Sequence, residues 1–398
     1  MKALFVHDHK FNVDKNGNVY SHLMDGVLWK RYLEHADSLT VLSRRVIFEE
    51  NEKSASGMRP AGCEGVSFEL LGQSLGINGE KLSAPGYAEK YRTVRRAVSQ
   101  CDAVIARLPS VLGYMACREA IKQRKKYAVE VVACAWDSNF YHGNPKNRVM
   151  ALPSLLIMKH YVKKADAAIY VTDEYLQKIY PCRGFTGIAS NVVLEMPDER
   201  VLQNRIAKIE STNKKVIFGL VGSLTVNFKG HETAIKALAA ARDRIPDFEL
   251  HFIGTGRPDR WQKLADEQGI GERVFFDGLK KHGREVTDWM DHLDVLLIPS
   301  LQEGLPRALI EAMSCGLPAL GAVTGGIPQL LPGGFLHKKK DWRKLSEDIV
   351  RLCGDKELMK KCAAENFEKV KRFDGTILEK SRFEFWKTFF DMCRQHDF

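Results

Sequence analysis

The chain has 398 residues, 44% of them hydrophobic and 28% charged, with a net charge of +10. This length exceeds the ~250–300 residues at which a single core stops growing, so two domains are expected; the composition excludes a disordered chain, a collagen-like fibre and a disulfide miniprotein. The positive balance predicts an anionic partner: nucleotide phosphates, nucleic acid or an acidic membrane surface.

Residues 151–158 (ALPSLLIM) and 295–299 are the longest apolar stretches, far short of the ~20 residues a bilayer span requires. The opening MKALFVHDHK has neither the apolar core nor the cleavage site of a signal peptide and reads as a strand. Nine cysteines without C-x-x-C pairs then read as reduced thiols of a cytoplasmic protein, and no metal-ligand cluster is visible.

In chain order, Ala3–His7 is the first expected strand. Asp14–Tyr20 (DKNGNVY) follows it with Gly17 and is expected to open a helix. Leu39–Leu42, Ala103–Ala106, Tyr127–Val132 and Ala167–Val171 have the short, β-branched, turn-bounded character of buried parallel strands. Helical patterns lie between them at Tyr87–Gln100 and Leu112–Arg124, and two segments rich in Gly, Ser and charge, Glu49–Glu64 and Gly72–Pro85, read as loops. Arg107 and the segment Glu130–His142 (EVVACAWDSNFYH) fall just past expected strands.

The alternation restarts after the polar stretch 195–215. Val216–Val221 reads as a new first strand and Thr233–Arg242 as its helix, with strands to follow at Glu249–Ile253, Val274–Phe276, Val295–Ile298 and Ala319–Gly321. Such alternation specifies an α/β fold of doubly wound parallel sheets, with ligands at the carboxyl ends of the strands. The expected division is residues 1–190, residues 191–376 and a terminal helix, 377–398, whose Phe383, Trp386 and Phe390 form a face that needs a partner. The basic clusters at 118–126 and 338–340 read equally well as solvated helix faces.

Chemistry concentrates in residues 299–326 (PSLQEGLPRALIEAMSCGLPALGAVTGG). A strand ends at Ile298, a loop carries Glu303, Gly304 and Leu305, Pro306 starts a helix, and Gly316 stops it. The first N–H groups of that helix make an anion site. Taken alone, Glu303 reads as a capping carboxylate and Glu311 as an i,i+4 partner of Arg307. Two further blocks offer glycine turns after strands: Gly222-Ser223-Leu224 with Phe228-Lys229-Gly230, where Lys229 can meet a diphosphate, and Gly254-x-Gly256, which lacks the third glycine of a dinucleotide fingerprint.

The E-x7-E spacing inside EGLPRALIEAMSCGLPA, with Gly325-Gly326 beyond it, resembles the donor-site motif of family 4 glycosyltransferases. That resemblance implies a GT-B architecture, two Rossmann-like domains facing a cleft with the last helix crossing back to the first. It implies an acceptor-binding first domain and a donor-binding second one. It places Glu303 against the donor sugar, Glu311 on the ribose hydroxyls and Lys229 on the diphosphate. Gly254 and Gly256 would line the nucleotide cleft, and Gly278-Leu279 would meet the base. Where Ser223 stands the family often has an arginine; a hydroxyl contact or Arg257 is left to substitute for it. Ser190-Asn191-Val192 occupies the domain crossover in place of the more usual Pro-x-Gly. Gly17 resembles the family's phosphate and acceptor loop. Arg107 and the W-D-x-x-x-x-H piece, with Asp137 and His142 as candidates for the reacting sugar or acceptor, resemble segments of bacterial polysaccharide members.

The implied activity is retaining transfer from a nucleotide sugar, UDP- rather than GDP-linked, to a saccharide hydroxyl, with no cofactor. No D-x-D triplet is present to hold a catalytic metal. The charge favours a lipid-linked acceptor for surface polysaccharide and peripheral contact with an anionic membrane, at the inner face of the cell membrane. Alternatives are a sugar-nucleotide epimerase of the same fold and a non-catalytic sugar-nucleotide binder. Nucleic acid is set aside because no recognised nucleic-acid module appears.

Overall fold

The computed structural model of the chain describes residues 1–22, 24–47, 58–72, 84–141, 143–192, 194, 196–211, 215–281 and 283–395. Most of the two expected loops, 49–64 and 72–85, lies outside them. The chain forms two compact units. Met1–Val132, Leu155–Ala189 and Glu379–Phe398 make the first, and Ala133–Ser154 with Ser190–Leu378 make the second.

The first unit is a nine-stranded sheet built from β1 (Lys2–Val13), β2 (Val19–Ser21), β3 (Ser38–Ile47), β4 (Arg59–Pro60), β5 (Val66–Leu71), β6 (Ala103–Leu108), β7 (Lys126–Val131), β8 (Ala167–Tyr170) and β9 (Phe185–Ile188). Its parallel strands run β5-β3-β1-β6-β7-β8-β9, while β2 and β4 add an antiparallel fringe. Strand order therefore reverses between β1 and β6.

The first strand is longer than its apolar run. After Val6 the pairing with β3 slips, so that His7, Asp8 and His9 face Ser43 alone before pairing resumes at Lys10. The Ser43 hydroxyl lies 2.7 Å and 2.6 Å from the carbonyl oxygens of His7 and His9 and holds this bulge. The strand continues to Val13 and turns into β2. DKNGNVY thus makes a hairpin turn instead of opening a helix. Asp14 accepts from the Asn16 and Asn18 N–H groups, and Gly17 sits at φ +84, in the left-handed region that glycine enters without strain.

Phe385, Trp386, Phe389 and Phe390 of the terminal helix are all buried, in one core cluster with Phe5, Trp29 and Tyr32. Of the face expected from Phe383, Trp386 and Phe390, the last two are buried, and Phe385 and Phe389 join them in place of Phe383. Phe383 remains 41% exposed, beside the His35 ring.

The second unit is an all-parallel sheet of β10 (Lys215–Val221), β11 (Asp247–Ile253), β12 (Val274–Phe276), β13 (Val295–Ile298), β14 (Ala319–Ala322) and β15 (Leu336–His337). Their order is β12-β11-β10-β13-β14-β15, so the reversal falls between β10 and β13. The run Val295–Ile298 is buried throughout, as a strand covered by helices on both faces must be.

Four histidines shielded from water, His231 and His337 buried and His7 and His9 half-buried, make the fold acid-sensitive. Burial lowers His7 to about 3, helped by Arg107, and lowers His9, His231 and His337 to about 4, from an ordinary value of 6.5. These rings are neutral in the folded chain and take up protons below 6.5 when it unfolds. Stability from them is therefore complete above pH 6.5 and is lost as pH falls towards the folded values. Each ring contributes up to about 1.4 kcal/mol per pH unit in that window. Calorimetric melting temperatures should decline steadily below pH 6.5. A melting temperature that holds constant down to pH 4, the folded value of three of the rings, would show that the rings are already charged in the fold.

Candidate active site

A cavity of about 320 Å³ opens at the reversal point of the second sheet, at the carboxyl ends of β10 and β13. Leu220, Val221 and Gly222 come from the first of these strands and its turn. Lys229 comes from the loop that follows, and Glu303, Leu305 and Pro306 from the loop after β13. Arg307, Ala308 and Glu311 of the helix Arg307–Ser314 complete the wall.

Two glycines let the charged groups approach. A Cβ on Gly222 would lie 2.6 Å from Cγ of Lys229, so only glycine leaves room for the lysine stem to cross the turn. Gly325, at φ +55, packs against the backbone of Glu303, where a Cβ would stand 2.2 Å from its carbonyl oxygen. The Gly326 N–H donates to the Gly304 carbonyl at 2.7 Å, and the Leu301 N–H donates to the Phe228 carbonyl at the same distance. These backbone bonds tie the lysine loop, the glutamate loop and the Gly325-Gly326 turn together.

Within this frame Lys229 Nζ lies 2.7 Å from Glu303 Oε1, in an ion pair with side-chain exposures of 27% and 11%. Glu303 does not cap the helix. Its cap position is Pro306, one residue ahead of the first helical residue, which makes no side-chain capping bond. The first-turn residues Arg307 and Ala308 face the cavity, where helix N–H dipoles favour an anion. Gly316, at φ +59, terminates the helix as its sequence indicates.

Glu311 is mostly buried, and burial raises its pKa despite Arg307, whose guanidinium is 3.9 Å away. A carboxylate kept from water here is costly to the free protein and useful to a ligand with hydroxyl donors. Glu311→Gln should therefore raise the melting temperature of the free protein by about 2 °C and weaken binding of uridine nucleotides about tenfold or more. Calorimetry with and without UDP checks both signs. A lower melting temperature with unchanged UDP affinity would assign Glu311 to the fold.

The remaining candidates lie outside the cavity wall. The Ser223 hydroxyl donates to the Thr255 carbonyl at 3.0 Å and lies 2.9 Å from Thr225 Oγ1, while Arg257 is exposed. Gly254 and Gly256 form the turn after β11, and Gly254 N–H donates to the Gly278 carbonyl at 2.9 Å. Leu279 is 72% exposed. Gly17 and Arg107 belong to the first unit. Arg107 stands on β6 itself, not past it, with its guanidinium 3.5 Å from Glu130. Asp137 is buried and paired with Lys339 at 3.0 Å, and the neighbouring Ser138 accepts from Gln302 at 2.8 Å. His142 lies outside the described residues. Among the described residues, no group of three His, Cys, Asp or Glu side chains is placed to hold a metal ion.

Several groups were not singled out from sequence. Lys339 reads as part of a solvated cluster, yet it is a half-buried partner of Asp137, in a turn after β15 and not on a helix. In the first unit, Arg44 donates to the Asp8 carbonyl at 2.6 Å and lies with His7 and His9 where its own sheet reverses. The signal for that cluster was the polar HDHK run continuing a strand.

Residues 215–355 match the family model described as "Glycosyl transferases group 1". Protein CapJ of Staphylococcus aureus is 31% identical over 387 residues, 96% of this chain and 94% of that protein. The amylovoran biosynthesis glycosyltransferase AmsK of Erwinia amylovora is 33% identical over 134 residues, 31% of this chain and 33% of that protein. Among solved structures, HepE of Anabaena in complex with UDP-glucose superposes with a TM-score of 0.62 at 17% identity, covering 96% of this chain and 98% of that one. Likeness at that identity is one of fold, the GT-B class with two Rossmann-like domains.

Proposed function

Because the chain belongs to the group 1 glycosyl transferases and is a glycosyltransferase, we propose that it is a retaining, family 4-type enzyme that transfers a sugar from a UDP-sugar to a saccharide hydroxyl in polysaccharide biosynthesis. The observation that carries this reading is the convergence of Lys229, Glu303, Glu311 and a helix N-terminus on one cavity. The uridine nucleotide is supported by the likeness to HepE, crystallised with UDP-glucose, and the pathway by the relative named for amylovoran biosynthesis.

In this reading the diphosphate takes Lys229 and the N–H groups of Arg307 and Ala308, the ribose hydroxyls donate to Glu311, and the sugar lies against Glu303. The second unit is the donor domain, with Gly222, Ser223, Gly254, Gly256, Gly278 and Leu279 bordering the nucleotide. The first is the acceptor domain, with Gly17 and Arg107, and the acceptor is lipid-linked. Asp137, with Lys339 on one oxygen, and His142 complete the groups assigned to the reacting sugar or acceptor. As the anomeric carbon's bond to phosphate breaks, the acceptor oxygen bonds to it on the same face, and the hydroxyl proton passes to the departing phosphate. Lys229 and the helix dipole stabilise the charge on that phosphate.

Incubation with a UDP-sugar, with and without a saccharide acceptor, tests the reading. The expected result is an acceptor-dependent product with the donor's anomeric configuration by NMR. Acceptor-independent isomerisation of the donor sugar would establish the epimerase instead. With a lysine on the diphosphate and no D-x-D triplet, turnover should survive EDTA, and a strict Mg²⁺ or Mn²⁺ requirement would contradict the charge-stabilising role given to Lys229.

A further inference from the structure

After β7 the chain leaves the first unit, and Ala133–Ser154 packs with the second. This excursion opens with the helix Ala135–Phe140, which at 6 residues is too short to be stable by its own hydrogen bonds. Side chains of the second unit hold it at two points. Gln302 Nε2 donates to Ser138 Oγ at 2.8 Å. Lys339 Nζ donates to Asp137 Oδ1 at 3.0 Å, and the same ammonium lies 4.5 Å from the centre of the Tyr141 ring.

Both anchors stand at the carboxyl ends of the second sheet, where the cavity opens. Gln302 immediately precedes Glu303 in the loop after β13. Lys339 stands in the turn after β15, two strands away. Hydrogen bonds join the two loops. The Val323 N–H donates to the His337 carbonyl at 2.8 Å, and the Thr324 hydroxyl donates to the carbonyl of Ser300, a cavity residue, at 2.7 Å. The helix is thus held by the same framework that carries Glu303. Stability alone is a poor account of the Lys339–Asp137 pair. Asp137 is 4% exposed and the lysine side chain 24%. Pairs so shielded often do no more than offset their own desolvation, and apolar residues of similar volume hold a fold as well. What the pair adds is direction, since a buried carboxylate stays where its ammonium is. Lys338 and Lys340 on either side are exposed, so Lys339 alone of the three is placed for this.

We propose that Lys339 is a positioning residue of the transfer reaction: it fixes the Asp137 carboxylate, and the short helix carrying it, at the sugar end of the donor cavity. The role rests on the transferase reading, which gives Asp137 to the reacting sugar or acceptor. An error of about 1 Å in the place of such a group can cost about 10²-fold in rate, while the diphosphate and ribose contacts lie on other residues.

A double-mutant cycle on Asp137 and Lys339 tests it, with kinetics on the UDP-sugar and acceptor that the parent protein turns over and calorimetry with UDP. Lys339→Met should lower kcat by roughly 10- to 100-fold and leave UDP affinity unchanged. Asp137→Asn should lose at least as much. Adding Lys339→Met to it should change kcat no further, since the lysine acts through the carboxylate. Lys338→Met, which removes an exposed charge from the same turn, should match the parent. The double variant strands no buried carboxylate, so its comparison with Asp137→Asn decides the question even where Lys339→Met alone fails to fold. Parent-like kcat in Lys339→Met, losses that multiply in the double variant, or a parallel loss of UDP affinity would each overturn the proposal. A parent protein with no turnover of any UDP-sugar would sink the transferase reading and this role with it. An active parent with any of those three results would sink the role of Lys339 alone.

Discussion

Lys229→Met should cut UDP affinity roughly 10- to 150-fold, the scale of one hydrogen bond to a charged group at about 1.5–3 kcal/mol, and should lower kcat further. The lysine is bound to its place by the glycine it crosses and by Glu303 at 2.7 Å. A donor diphosphate entering the cavity would share that ammonium with the carboxylate, so ground-state binding gains only part of the Coulomb energy. Charge on the phosphate grows as the glycosidic bond breaks, and the same ammonium then contributes more. Removing a single group aimed at such charge typically costs about 10²-fold in kcat. The combined loss in kcat/KM should reach about 10³-fold or more, the largest expected of any substitution here. Methionine keeps the stem and so separates charge from packing. Steady-state kinetics with a UDP-sugar, alongside calorimetry with UDP, checks both parts. Loss of turnover with intact UDP affinity would move Lys229 off the diphosphate.

Glu303→Gln should behave differently. The amide keeps the size and some hydrogen bonding, so its defect reports chiefly on charge. If the carboxylate faces the sugar as positive charge develops, kcat and kcat/KM should fall together by about 10²-fold. UDP affinity should hold or rise, because Lys229 loses its internal competitor. A purely binding-type defect would remove Glu303 from the reacting centre. Unchanged kinetics would end the reading of the motif as a donor site.

Much of the second unit is legible in its sequence, for a physical reason. Strands buried on both faces must be apolar throughout, and Val295–Ile298 is found where that rule puts it. The turn glycines and the helix stop at Gly316 are equally local. The first unit departs where local rules stop. His7, Asp8 and His9 look like the end of a strand, but the Ser43-centred bulge absorbs them and the strand runs on to Val13. The glycine turn beyond therefore makes a hairpin, which a strand–glycine–helix pattern cannot foresee. Side-chain pairs distant in sequence are hidden for a related reason. Lys229 and Glu303 can each be singled out alone, yet their ion pair spans 74 positions, and that of Asp137 with Lys339 spans 202. Only the folded sheet brings such groups together, and burial then gives a lysine from a seemingly solvated cluster a specific partner.

Calorimetric titration of uridine and UDP against the parent protein and Lys229→Met tests most directly whether the cavity grips a nucleotide diphosphate through Lys229. Uridine lacks the phosphates, so it should bind both proteins equally, while UDP should bind the variant at least tenfold more weakly. Equal UDP affinity in the two proteins, or a matching loss for uridine, would contradict the account.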